Sequence, residues 1–118
     1  MNSKLPVFVL DRASILERLG DDVEIYRMML DMFLQDVDNN CSALAASLAA
    51  GDLPTLLREV HTVKGLLATF SDEDGAAEAL RMEMQLKGGD SSGMAEAVPA
   101  LQARLREVAG VLALEVAG

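Results

Sequence analysis

The chain has one histidine, His61, and one cysteine, Cys41, so any imidazole or thiolate chemistry falls to one side chain of each kind. Lys64 and Gly65 follow His61 at three and four residues, the spacing that places side chains next to one another on a helix surface. An imidazole, an ammonium and a missing side chain then share one patch. Each has a use if the imidazole accepts a phosphoryl group. Neutral imidazole is a nucleophile near neutral pH without help from a metal, and an ammonium offsets the charge of the transferred oxygens. The absent Cβ of Gly65 lets another protein's active site come close. A helical glycine costs about 0.8–1.0 kcal/mol relative to alanine, so something other than helix stability should justify it. The plain alternatives are an inert surface histidine, a solvated lysine and a glycine that admits a neighbouring helix.

The elements that must carry this patch are legible as apolar rows. Leu53, Leu56, Val60, Val63, Leu67 and Phe70 advance by three and four residues, the pattern of a helix with one buried stripe. His61 is one residue beyond Val60, at the edge of that stripe and toward water. A longer row runs through Tyr26, Leu30, Phe33, Val37, Cys41, Leu44 and Leu48, which makes Cys41 an inert core residue. A capping box is expected at Asp21 with Glu24, a stop at Gly51, and a restart capped by Asp52 with Pro54 in the first turn. Ser71 with Asp74 reads as another cap, opening a helix from about Asp72 to Lys87. The flexible loop is Gly88 to Gly93. The last row is Val98, Leu101, Leu105, Val108 and Leu112, with Pro99 expected in its first turn or bending it. Ahead of all these, Asp11 caps a short helix over about 11–19 that ends at Gly20 and lies as a lid on the rest. The expected fold is all-α: an up-down-up-down antiparallel four-helix bundle over about 22–116 with a short additional N-terminal helix, in one domain spanning 1–118.

Composition agrees and excludes several functions. At 118 residues the chain has room for one core. It is 51% hydrophobic but 3% aromatic, rich in good helix formers and poor in residues that favour sheets. Ten Lys and Arg against nineteen Asp and Glu leave a formal charge of −9, which repels phosphate backbones and anionic lipids, so neither nucleic acid nor membrane is an expected partner. One cysteine and one histidine supply no disulfide and no metal cage. No apolar run is long enough to span a bilayer, and Leu5 to Leu10 is too short for a secretory core, so the expectation is a soluble, cytoplasmic chain. There is no Gly-x-x-x-x-Gly-Lys loop for ATP.

Gly51-Asp52-Leu53 followed by Val60-His61-Thr62-Val63-Lys64-Gly65 resembles histidine-containing phosphotransfer (HPt) domains, whose signature is a mid-helix His-x-x-Lys-Gly. The resemblance runs from Leu10-Asp11 and Leu19-Gly20-Asp21 to Gly89-Asp90. It implies a carrier in a bacterial-type two-component phosphorelay, phosphorylated on His61, with Lys64 stabilising the phosphate and Gly65 the position of partner access. The implied partners are response-regulator receiver domains and a hybrid sensor histidine kinase. The resemblance further implies that the Mg²⁺ and the acidic pocket belong to the receiver, so that this chain is expected to have no cofactor, no metal and no enzymatic activity of its own, and to be a monomer.

The family also tends to carry a carboxylate or amide on the next helix that orients the histidine, and Met82-Glu83 occupies that place. Height along the hairpin gives separate support. With a turn near Ser71, His61 and Glu83 stand at about 15 and 18 Å at 1.5 Å per residue, and helical side chains lean toward their own N-terminus, so these two lean toward each other's level. A Glu83 carboxylate accepting from Nδ1–H would fix the tautomer and leave Nε2 as the attacking atom. The alternative is a surface Glu83 paired with Lys87 at i+4; Lys87 is also a candidate outer cation. Two departures stand out: Leu66-Leu67 replace the small or hydroxyl residues usual after Lys-Gly, and Ser71 stands where many members have glycine. A glycine appears at Gly75 instead, and a turn there would undo the height argument.

Leu57 and Ala68 flank His61 on its own stripe with Arg58 nearby, a ring that suits partner docking or ordinary partial burial. The Met28-Met29-Leu30-Asp31-Met32 stretch reads as core and flank, although methionines also suit adaptable docking surfaces. Two rivals remain: a helical adaptor that binds receiver or signalling proteins without taking phosphate, and an enzyme with His61 as general base, for which no convergent partners are visible.

Overall fold

The computed structural model describes residues 5–118; the first four residues of the expected domain lie outside it. Among the described residues there are five α-helices and no strand: α1 (Arg12–Arg18), α2 (Val23–Ala49), α3 (Leu53–Thr69), α4 (Glu73–Lys87) and α5 (Met94–Ala117). The apolar rows account for the packing. Tyr26, Leu30, Phe33, Val37, Cys41 and Leu44 of α2 are buried, as are Leu56, Val60, Val63 and Leu67 of α3 and Val98, Leu101, Leu105, Val108 and Leu112 of α5. α4 adds Ala79, Met82 and Leu86. Leu48 and Leu53, at the ends of their rows, are only half-buried. α3 packs most extensively on α4 and α2 on α5, while α2 with α3 and α4 with α5 complete the ring.

The starts of α1 to α4 are each fixed by an aspartate, whereas Gly93 opens α5 without a side-chain cap. Asp11, Asp22, Asp52 and Asp72 precede α1 to α4, and each side chain accepts from the backbone N–H three residues on, satisfying a donor that the helix itself leaves open. Two caps expected from sequence are therefore corrected by one residue. Asp22, not Asp21, caps α2, because Asp21 adopts φ 62° in the preceding turn. Asp72, not Ser71, caps α4, because Ser71 takes the left-handed turn position at φ 61°. Pro99 is not in the first turn of α5 but inside the helix, in its second turn.

The turn between α3 and α4 thus lies at Ser71, and Gly75 serves a different purpose. A Cβ on Gly75 would fall 2.0 Å from Asp72 Oδ2, so glycine makes room for the capping carboxylate. That carboxylate is held from the other side by buried Arg104 of α5, at 2.8 Å from Nε to Oδ2 and 2.7 Å from Nη2 to Oδ1. Arg104 Nη1 donates to Pro6 O at 2.6 Å and to Glu107 Oε1 at 3.1 Å, and Glu107 Oε2 accepts from Phe8 N at 2.8 Å. One buried guanidinium therefore ties the N-terminal strap, the start of α4 and α5 together. α1 is tied to the same turn, with Arg18 Nη2 donating to Thr69 O at 3.0 Å and Ser71 Oγ at 2.8 Å.

Candidate functional site

With the turn at Ser71, His61 on α3 and Glu83 on α4 come level across the seam. His61 Nδ1 is 2.8 Å from Glu83 Oε2. Lys64 Nζ donates to Glu83 Oε1 at 2.6 Å, and Lys87 Nζ lies 3.5 Å from Oε2. The reading of Glu83 as a surface residue paired only with Lys87 is set aside: its side chain is 4% accessible and has three partners.

Burial alone would favour the protonated form of Glu83. The Lys64 hydrogen bond is the largest influence the other way and, with the His61 bond and the charges of Lys64 and Lys87, lowers its pKa from 4.5 to about 2. The desolvation cost is outweighed because the seam is shallow, bordered by side chains as exposed as His61 (65%) and Lys87 (63%). An ionised carboxylate only accepts hydrogen bonds, so the proton in the His61–Glu83 contact belongs to Nδ1. In the neutral imidazole the lone pair is then on Nε2, and the ring is exposed.

The remaining residues divide clearly. Gly65 is exposed, and a Cβ there would meet nothing within 4 Å; admission of a neighbouring helix therefore does not explain it. Leu57 is half-buried against the core, while Ala68 is exposed. Arg58 is exposed and donates to Thr55 Oγ1 at 3.2 Å. Two residues went unnoticed in the sequence: Leu80 and Met84 of α4 are both exposed. The signal was present, since Leu80, Glu83, Met84 and Lys87 recur at i, i+3, i+4 and i+7 and share one helix face. The methionines of α2 divide, Met29 packing on the core and Met28 and Met32 lying exposed. Burial raises the pKa of the Cys41 thiol, which keeps it protonated and unreactive.

A family model described as Hpt domain matches residues 28–111, more than half of the chain. The chain belongs to the HPt domain family. No curated protein and no solved structure is similar enough to match. HPt domains take part in phosphorelays as phosphocarriers that interact with receiver domains, and the matched segment contains His61, Lys64, Gly65, Glu83 and Lys87. Among the described residues no three His, Cys, Asp or Glu side chains gather as a metal site needs, and no helix is long and apolar enough to cross a membrane.

Proposed function

We propose that this HPt domain carries a phosphoryl group on His61 Nε2 between the aspartates of receiver domains in a two-component phosphorelay. The observation that carries the reading is the exposed imidazole whose Nδ1 is held at 2.8 Å by a buried, ionised Glu83. In the step toward His61, the Nε2 lone pair attacks the phosphorus of an aspartyl phosphate. The P–O bond to the partner's carboxylate breaks, its electron pair leaves with that carboxylate, and the Nδ1 proton stays on the ring. Glu83 offsets the positive charge that the ring acquires, and the lysines on either side of it face a group rich in negative oxygen. The reverse step returns the phosphoryl group. The partner's Mg²⁺ and acidic residues supply the rest of the chemistry.

The short connections around α2, α3 and α4 support an up-down-up-down course for the bundle. Leu57, His61, Lys64, Gly65 and Ala68 on α3 face the same seam as Leu80, Met84 and Lys87 on α4, and this seam is the docking face for the receiver, with Arg58 at its margin. The partners are receivers and a hybrid sensor kinase, and the chain works as a cytoplasmic monomer.

The test is incubation with a receiver carrying labelled aspartyl phosphate, in Mg²⁺. Acid-labile, base-stable label should pass to the wild type and not to His61→Gln. Receiver binding with no label on the wild type would make the chain an adaptor.

A further inference from the structure

The two lysines beside Glu83 are held differently. Lys64 donates at 2.6 Å to Oε1, an oxygen with no second partner among the described contacts, and its side chain is 28% accessible. Lys87 is 3.5 Å from Oε2, which already receives Nδ1–H at 2.8 Å, and its side chain is 63% accessible. The first contact is a short charge-assisted hydrogen bond to a covered carboxylate. The second is longer than such bonds run and open to water.

Charge gives the same ordering. One carboxylate against two ammonium groups leaves one positive charge over, and the surplus is the weakly held one. If Lys64 swung out to meet a phosphoryl group, Glu83 would keep its charge in a buried position and lose its closest partner. Lys87 can leave at far lower cost, and its flexible four-carbon stem gives it reach. It also leans the right way: side chains on α4 tilt toward the turn at Ser71, which carries Lys87 back over Glu83 and the ring.

Resting on the phosphoryl-acceptor reading of His61, we propose a division of labour. Lys64 is a positioning residue, the fixed counter-ion that keeps Glu83 ionised beneath the ring, and Lys87 is the cation that moves onto the phosphoryl oxygens at Nε2. This assigns phosphate contact to α4, not to the lysine of the His-x-x-Lys-Gly signature.

Phosphoramidate can test this without a partner protein. Nε2 attacks its phosphorus, the P–N bond breaks and ammonia leaves. The intact chain, with ¹⁵N-labelled lysine side chains, is phosphorylated in this way and the site is checked by mass spectrometry. The Lys87 Nζ resonance should shift on phosphorylation while that of Lys64 stays in place. Lys87→Gln should slow uptake about three- to five-fold, the scale of one exposed ion contact, and Lys87→Arg should restore most of it. A moving Lys64 resonance with a stationary Lys87, or a Lys87→Gln chain that takes up phosphate at the wild-type rate, overturns the division of labour and leaves His61 as acceptor. Absence of phosphate from His61 in the wild type overturns the acceptor reading, and this assignment falls with it.

Discussion

Nδ1 of His61 on Oε2 of Glu83, and Lys64 on Oε1, show how much a single buried carboxylate can organise. With Lys64 as its closest partner, Glu83 keeps its charge in the folded chain down to about pH 2, against 4.5 for the free group. A carboxylate whose folded pKa is depressed adds stability above its unfolded pKa and loses it as pH falls. Wild-type stability should therefore drop between about pH 5 and pH 2 more steeply than that of Glu83→Gln, as read from urea unfolding at a series of pH values; parallel profiles would contradict the ion-pair account. Glu83→Ala should slow transfer by about tenfold, the order seen when a group that orients a functional histidine is lost. Gly65 allows a sharper test, because Gly110 on α5 is also a helical glycine whose Cβ would meet nothing within 4 Å. Alanine at either position should add about 0.8–1.0 kcal/mol of stability, and only Gly65→Ala should impair transfer from a receiver. If both substitutions leave transfer intact, the access role of Gly65 is wrong. The histidine, lysine and glycine were legible because their spacing is local. The hold of Glu83 on Lys64 was not, because it depends on which rotamer wins across a seam between two helices.

At the scale of elements, the α3–α4 turn decides the register of the site. Sequence alone left two choices, Ser71 and Gly75, because many members of the family carry a glycine at this turn and here the glycine stands four residues later. The structure resolves them through contacts distant in sequence: Arg18 uses Ser71 Oγ, and Arg104 holds the Asp72 carboxylate that Gly75 accommodates. Gly75→Ala should therefore destabilise the protein despite its better helix propensity, opposite in sign to the two substitutions above. A rise in melting temperature would show that Asp72 can move aside. On the outer side of α4, Leu80 and Met84 flank the site, and Met84→Glu should weaken transfer from a receiver while leaving uptake from phosphoramidate unchanged. Loss of both activities would mean that the substitution disturbs the imidazole itself and not docking. The rows of α2, α3 and α5 could be read directly because a period of three and four residues reports burial. The caps Asp11 and Asp52 could be read to the residue, and those of α2 and α4 only to within one, since adjacent acidic and hydroxyl residues there compete for the same role.

Over the whole molecule, the acidic surface and the small cationic seam make a consistent carrier. A formal charge of −9 discourages nonspecific binding to phosphate polymers, while Lys64 and Lys87 set two positive charges against the single carboxylate of Glu83 beside the exposed imidazole. The bundle is closed by a feature that hydropathy does not reveal, the buried Arg104 joining the strap, α4 and α5. Its position three residues after Leu101 and four before Val108 placed an arginine within a core row, a signal that calls for a buried partner. Arg104→Ala should cost about 3–5 kcal/mol by leaving Asp72 without its ion partner, measured by denaturant unfolding. The central claim is that the phosphoryl group resides on Nε2 of His61 while Nδ1 keeps its proton on Glu83. The most direct measurement is ³¹P–¹⁵N correlation NMR of the phosphorylated chain with ¹⁵N-labelled histidine. Phosphorus coupling to Nε2, with a protonated Nδ1, is the predicted result; coupling to Nδ1, or phosphate on any residue other than His61, would contradict it.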